Sequence, residues 1–574
     1  MNRRATLLAL SVAAILGFFA ALQSVAPPDG FFSGDQGAKY LQTRAFALQG
    51  PLRPGIEVAS RDVDPELRHQ ILENRGGQLI GVFSWLLPML TAPFFAILGF
   101  RGLYVVPVLS VVVVFLAAAA LGRRLTGEGG LWTAWIVVLA APVLMYGAEL
   151  WEHAPAAACV IVAALLLAPD RRDSRLAFPA GALIAVAALF REEAFFALPA
   201  LIVARAISVG PEGRVKDAIT CGLLAGAGAL AVFVLAIPVN LVVYRSPLPL
   251  HLGVEAGKST AHPPVRSSLV AQLLLPVRFA KLYVICAALG VVAAVRVKAE
   301  RAAVLWLAVT IGCALVLLTI AVLVPMWRTI MFGESMYQAY SVDSIAHTWP
   351  FCISLVLVPL LGADASRGHL ARYLCAAAAL MILGTLAIVP STGGAQWSPR
   401  YLFAAAPMLA IVASAPALRV SGVSRRATAV TWTARVVLLC SAVTQLDGLH
   451  LLVDAKSRNA RITHRLAELT APGDVVISDA AWFPQVTAAL IPSRRILLAW
   501  SPDDVVHIAG LAARHGIRHV ALVSSSGETG YRAPRFLDVS AEGGCVFTRT
   551  ARLSFGERGL IMHRYSCDPG VVVQ

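Results

Sequence analysis

Apolar runs of the length that crosses a lipid bilayer recur along this chain as far as residue 453. A hydrocarbon core about 30 Å thick needs roughly 17–25 apolar residues in a helix. Thirteen runs meet or approach that length, at 6–25, 103–121, 131–147, 154–168, 176–190, 194–204, 219–243, 282–295, 302–325, 346–363, 374–390, 402–418 and 430–453. The chain is 58% hydrophobic and 14% charged, whereas soluble domains carry about 25% charged residues. The reading is an α-helical polytopic membrane protein of about 13 transmembrane helices, which excludes a soluble enzyme, a disordered chain and a disulfide scaffold.

An excess of 48 Lys+Arg over 33 Asp+Glu would suggest nucleic acid in a soluble protein. Here the positive-inside rule explains it, so no nucleic-acid partner is expected. With the N-terminus and its Arg3 and Arg4 inside, six later inner loops hold sixteen basic residues and the five outer loops between the same spans hold eight. Residues 79–99 are also apolar enough to span, but a crossing there would reverse the bias. They are therefore read as lying in or dipping into the outer interface, their backbone covered by neighbouring helices. The first span ends in Ser24-Val25-Ala26, which resembles a cleavage site. Pro27 and Pro28 follow at once and block cleavage, so the span is read as an uncleaved anchor.

Beyond residue 453 the pattern changes. Residues 454–574 carry 14 Lys+Arg and 11 Asp+Glu with only short apolar runs. A helix is expected at 459–469, strands at 475–478, 495–500 and 519–524, and a helix from Pro502 to His515, with a hairpin from runs at 545–555 and 560–567. Alternating strands and helices imply a small α/β domain, which thirteen spans place outside. The division is thus a transmembrane module over 1–453, with 26–102 as a first outer loop bearing interfacial helices, and an extracytoplasmic domain over 454–574. Cys545 and Cys567 are either bridged in that compartment or two buried thiols.

Charged residues are nearly absent from the span interiors, with Arg435 and Asp447 near opposite ends of the last run. A transporter is expected to show polar groups at the midplane and interrupted helices in two related halves, and neither is seen. The polar residues gather instead in the outer loops. Asp35, between Gly34 and Gly37 just after the first span, is suited to deprotonate an acceptor hydroxyl at the interface, or else belongs to a glycine-flanked turn. Glu149, Glu152 and His153 share one face if they sit on a helix end, where they would support an acceptor or a metal, or form a hydrated cap. Arg191, in Phe190-Arg191-Glu192-Glu193-Ala194, and Arg400 offer a planar fork of donors to a phosphate. Trp397 and Tyr401 flank Arg400 and would stack on a sugar or join an aromatic belt. Gly226-Ala227-Gly228 lies inside a run, where glycines serve close helix packing, and no zinc or serine-hydrolase motif occurs.

Over roughly residues 1–420 this arrangement resembles the membrane glycosyltransferases of the C superfamily, especially the bacterial protein-mannosyltransferase-like and lipid-sugar-transferase-like members. The resemblance rests on the first span, the long outer loop with its early Asp, the loop helix at 78–99, the acidic second loop, the Arg-Glu-Glu-Ala turn, and the Gly-Gly-x-x-Trp-x-x-Arg-Tyr-Leu-x-x-x-x-Pro run from Gly393 to Pro407. It implies inverting transfer of one hexosyl or pentosyl unit from a polyprenyl-phosphate sugar donor to a lipid, glycan or protein acceptor, on the outer face of the plasma (bacterial inner) membrane. By position Asp35 would be the general base, Glu149 or Glu152 would support acceptor or metal, and Arg191 and Arg400 would hold the donor phosphate. Relatives often have Asp-Glu where this chain has Asp35-Gln36; many act without metal, and neither metal nor cofactor is expected here. Two other classes remain: a flippase or transporter of lipid-linked sugars, and a noncatalytic envelope assembly protein.

Overall fold

The computed structural model describes residues 3–63, 72–170, 173–208, 214–250, 266–274, 344–352, 354–355, 365–389, 397–418, 425–525, 536–539, 545–557 and 559–567. Among them, six helical stretches are long and apolar enough to cross a membrane: Arg3–Val25, Leu86–Ala140 (several helices in series), Lys216–Tyr244, Gly368–Ile388, Arg400–Leu418 and Val430–Leu469. The thirteen runs expected from sequence do not each become one such helix. Those at 282–295 and 302–325, and most of 346–363, lie outside the described residues. The run at 131–147 divides into Gly130–Ala140 and Val143–Gly147. Pro142 is the cause: the residue before a proline is driven from the helical region, and Ala141 stands at φ −100°, ψ 161°. The helices His153–Leu166 and Ala177–Phe190 have 14 residues each, which rise only about 21 Å.

The chain divides into two compact units. The first comprises Met1–Ala20, Val106–Pro238 and Leu252–Leu451, and the second Ala21–Val105, Val239–His251 and Leu452–Gln574. The last break, after Leu451, lies beside the change in composition at residue 453, and the second unit also takes in Ala21–Val105.

In the first unit, small residues let helices approach closely. A Cβ at Gly181 would lie 1.8 Å from the Ala225 carbonyl oxygen, and one at Gly228 would lie 2.0 Å from that of Phe178. Gly228 thus brings Ala177–Phe190 against Arg214–Tyr244, while Gly226 meets nothing. At one end of this bundle the buried Arg205 grips Asp217 with Nε and Nη2 at 2.7 and 3.0 Å. Its Nη1 donates to the carbonyls of Leu167 and Ala168, both at 3.0 Å, closing the orphan C-terminus of His153–Leu166.

In the second unit the run at 79–99 divides too. Strand β1 (Leu72–Arg75) pairs antiparallel with β2 (Gln78–Gly81), and a 13-residue helix follows at Leu86–Leu98. Gly76 and Gly77 join the strands at φ 57° and 81°, the left-handed pair that a two-residue hairpin turn requires.

The C-terminal sheet contains β3 (Val475–Ser478), β4 (Arg495–Leu498), β5 (His519–Ser525), β6 (Phe536–Asp538), β7 (Val546–Ser554) and β8 (Leu560–Cys567), in the order β4-β3-β5-β8-β7-β6. β3 pairs parallel with both β4 and β5. All four of its residues are buried, which accounts for its unbroken apolar run. The helix Pro502–Arg514 starts with a capping box, Ser501 Oγ accepting from Asp504 N at 3.2 Å and Asp504 Oδ2 accepting from Ser501 N at 3.1 Å. Val505, Ile508 and Ala512 from this helix meet Ile477, Leu522, Phe547 and Tyr565 in the core. Cys545 and Cys567 are bridged, with Cα atoms 6.1 Å apart.

Arg495 ties this sheet to the segment that precedes β1. Its Nη2 lies 2.6 Å from Asp62 Oδ2, and its Nε is 3.1 Å from each carboxylate oxygen. The hydrogen bond from Arg495 holds the Asp62 carboxyl below its usual range, against a smaller opposing effect of burial. A lowered native pKa stabilises the fold above the unfolded value of about 3.9, and that contribution is lost as pH falls through the native value. The pair is half exposed, so its worth is at most about 1 kcal/mol. In thermal unfolding of the full chain in detergent, Asp62→Asn is expected to lower the midpoint slightly at pH 7. The gap from wild type should close as pH falls below 4 and narrow in high salt.

Candidate functional site

The polar residues of the first unit are buried together. After Val143–Gly147 the chain leaves the helix, and it resumes at His153, the first residue of His153–Leu166. Glu149 therefore precedes the helix, and the expectation that Glu149, Glu152 and His153 share a helical face is not met. Nor is the group a hydrated cap: the three are exposed by 0, 1 and 3%. Aromatic rings enclose them. Tyr146 stacks on His153 with centroids 5.1 Å apart, and Trp151 lies 5.4 Å from the same imidazole.

Arg191 follows the last residue of Ala177–Phe190 and adopts an extended backbone, φ −145°, ψ 119°. Its Nε lies 3.0 Å from Glu193 Oε1. Burial disfavours the Arg191 charge, but Glu193, then Glu192 and Glu152, outweigh it and raise its pKa. Burial lifts the Glu193 carboxyl against the opposing pull of Arg191. Arg191 Nη2 is buried and has no hydrogen-bond partner among the described residues.

Tyr401 joins the two arginines. Its ring centroid lies 5.4 Å from the Arg191 guanidinium carbon and 5.3 Å from that of Arg400, which also lies 5.7 Å from the Trp151 ring. Each contact is within cation–π reach. Trp397 is placed differently. It is fully buried, its Nε1 donates to Gln445 Oε1 at 3.4 Å, and its indole fills the space beside Gly448. Its carbonyl accepts from Tyr146 Oη at 3.0 Å. Ser398 then turns the chain at φ 72°, a conformation uncommon outside glycine. Its Oγ accepts from Trp349 Nε1 at 2.7 Å and from Thr348 Oγ1 at 3.2 Å. Trp397 and Ser398 thus build the turn that delivers Arg400 and Tyr401. Gly393 to Gln396 of the same motif lie outside the described residues.

Asp35 belongs to the second unit. It stands in the first turn of the helix Gly34–Gln49 and is partly buried, where the helix dipole favours a carboxylate. Gln36 is fully buried, and its Oε1 accepts from Phe32 N at 2.9 Å. The residue that departs from the Asp-Glu pair thereby satisfies a backbone donor at the helix entry. One turn on, the buried Lys39 places its ammonium 4.6 Å from the centre of the Phe83 ring. Among the described residues no three His, Cys, Asp or Glu side chains are gathered as a metal set.

Sequence reasoning named Arg191, Arg400, Tyr401 and the acidic loop but assigned nothing to Trp151 or Tyr146. Trp151 was visible as the one aromatic inside that loop; Tyr146 had no signal beyond its place near the end of an apolar run.

No protein-family model and no curated protein matches this sequence. Solved structures do. ArnT from Cupriavidus metallidurans bound to undecaprenyl phosphate aligns at a TM-score of 0.50 and 12% identity, over 96% of this chain and 98% of that one. The same protein in its apo state aligns at 0.50 and 13%, over 98% of each chain. The oligosaccharyltransferase of Archaeoglobus fulgidus aligns at 0.46 and 11%, over 89% of this chain and 69% of that one. The chain has the fold of ArnT. That is the fold the resemblance to C-superfamily membrane glycosyltransferases implied, and it extends over the C-terminal region as well.

Removing Arg191 leaves buried carboxylates with no countercharge, which typically costs about 3–5 kcal/mol. Arg191→Gln is therefore expected to lower the thermal midpoint of the full chain in detergent by several degrees. Arg191→Gln/Glu193→Gln should recover part of the loss, because both charges of the pair are then gone.

Proposed function

We propose that this chain is an integral-membrane glycosyltransferase that moves one sugar, with inversion, from a polyprenyl-phosphate carrier to a lipid, glycan or protein acceptor. The transfer takes place at the outer face of the plasma (bacterial inner) membrane, with the N-terminus cytoplasmic and the C-terminal sheet extracytoplasmic. The observation that carries this reading is the pair of guanidinium groups on Tyr401. Arg191 is secured in its charged form by Glu193 and its neighbours, yet keeps a buried Nη2 without a hydrogen-bond partner among the described residues. A planar cation held in that state suits a phosphate, which a guanidinium binds through paired N–H donors. The ArnT fold supports it, since one ArnT structure is bound to undecaprenyl phosphate.

The chemistry is short. The acceptor hydroxyl attacks the anomeric carbon from the face opposite the phosphate, the carbon–oxygen bond to phosphate breaks, and the polyprenyl phosphate departs with the bonding pair. Arg191 and Arg400 stabilise the charge that grows on the leaving oxygen. Asp35 takes the acceptor proton as general base. Glu149 and Glu152 support the acceptor, and the Tyr401 ring holds the two guanidinium groups, while the Trp397 indole is occupied by packing. No metal or cofactor is assigned a role.

The test is sugar transfer in membranes from a radiolabelled polyprenyl-phosphate sugar pool at matched expression. Asp35→Asn is expected to reduce transfer by about 10²–10⁴-fold, the usual worth of a general base, with donor binding retained. Arg400→Ala should weaken donor binding as well as transfer. Donor movement across the bilayer without transfer would identify a flippase, and full transfer by Asp35→Asn would remove the base assignment.

A further inference from the structure

The segment that carries Asp35 is held by residues from beyond position 452. Asn459, itself fully buried, donates from Nδ2 to the Phe31 carbonyl at 2.6 Å. His464 Nε2 lies 2.8 Å from Asp29 Oδ2. Tyr104 Oη donates to the Pro28 carbonyl at 2.9 Å and accepts from Lys456 Nζ at 2.7 Å. The helix itself then lies on the short helix Phe483–Val486 that follows β3. A Cβ at Gly34 would stand 1.5 Å from Gln485 Oε1 and 2.8 Å from its Cβ. One at Gly37 would stand 2.0 Å from the Gln485 carbonyl oxygen and 2.8 Å from the Ala488 Cβ. Asp35 lies between these two contacts in sequence, on a helix end that has no side-chain cap.

We propose that Gln485 and Asn459 are positioning residues for Asp35, so that the C-terminal α/β region serves as the mould in which the base is set. The inference rests on the reading of Asp35 as general base. Asn459 fixes the chain four residues before Asp35, and Gln485 fixes the turn on which it stands. Neither residue is placed against the reacting atoms. Their effect is on where the carboxylate points, and a displacement of about 1 Å at a reacting group costs on the order of a hundredfold in rate.

The contacts can be separated by substitution. Gly34→Ala meets the Gln485 side chain from its end to its Cβ, whereas Gly37→Ala meets a backbone carbonyl and Ala488. Alanine is the better helix former at an interior position, so a loss in Gly37→Ala reports the contact and not the helix. With the full chain and a radiolabelled polyprenyl-phosphate sugar, both variants are expected to lower kcat by about ten- to a hundredfold, with donor KM within about twofold of wild type. Gln485→Ala alone should lower kcat in the same way, and Gly34→Ala/Gln485→Ala should lose less than the product of the two single losses while Gly37→Ala stays impaired, because contacting residues are coupled where separate ones are not.

If Asp35→Asn is inactive while both glycine variants transfer at the wild-type rate, the base assignment stands and the positioning role is wrong. Wild-type kcat in Gln485→Ala, or losses in Gly34→Ala and Gln485→Ala that simply multiply, also overturns it. Full transfer by Asp35→Asn, or no transfer by wild type, removes the base reading and this inference with it. Should the glycine variants fail to accumulate, Asn459→Ala, which deletes a hydrogen bond without adding volume, decides the matter: an unchanged kcat rejects the role and a selective fall in kcat supports it.

Discussion

A guanidinium in a membrane protein, removed from water, has to be answered by carboxylates close by, and Arg191 sets that requirement for the first unit. Glu193 meets it directly at 3.0 Å, and Glu192 and Glu152 add to it from further off. Those acids are costly to bury in turn, so the arginine and the acids are mutually obligatory. Tyr401 and Trp151 complete the enclosure by facing the two guanidinium groups. Burying ions is a poor route to stability, because hydrophobic residues of similar volume often do as well. Stability alone therefore does not account for a group of this kind.

The parts of the fold that were legible in the sequence are those where local rules act alone. The strand expected at 475–478 and the helix expected from Pro502 are found at Val475–Ser478 and Pro502–Arg514. The bundle was harder, because apolar runs record burial and not continuity. The run at 131–147 has the hydropathy of one span, yet Pro142 breaks it. The opposite error occurs at the end of the module. The change in composition separates the last run from the helix expected at 459–469, but Arg425–Leu469 is one helix of 45 residues. The intervening Asp454-Ala455-Lys456-Ser457-Arg458 contains neither glycine nor proline, and Arg458 pairs with Asp454 one turn back. A change from apolar to charged marks where a helix changes its surroundings, and only a helix-breaking residue marks where it stops.

The candidate site was legible as a set of residue types and not as an arrangement. Spacing placed Glu149, Glu152 and His153 on one helical face, whereas they are gathered by an irregular turn within an aromatic enclosure. Trp397 and Tyr401 were equivalent in sequence. In the structure the indole is committed to Gln445 and Gly448, and the phenol ring to the two arginines. What separates them is the left-handed Ser398, a backbone feature that no residue preference announces.

The second unit draws on three separated stretches of chain, Ala21–Val105, Val239–His251 and Leu452–Gln574. Contacts so far apart in sequence are slow to form, because loop closure has to precede the contacts that reward it. The helix of Asp35 is one of the earliest elements of the chain, and yet Asn459 and Gln485, which fix its entry and its face, are among the late ones. Its glycines are what make this possible: Gly34 and Gly37 leave a surface on which a distant backbone can rest. Read locally they are helix-weakening residues, and they look like a flexible turn. In the folded chain they do the reverse, allowing the backbone of the C-terminal region to approach closely the helix end that bears Asp35.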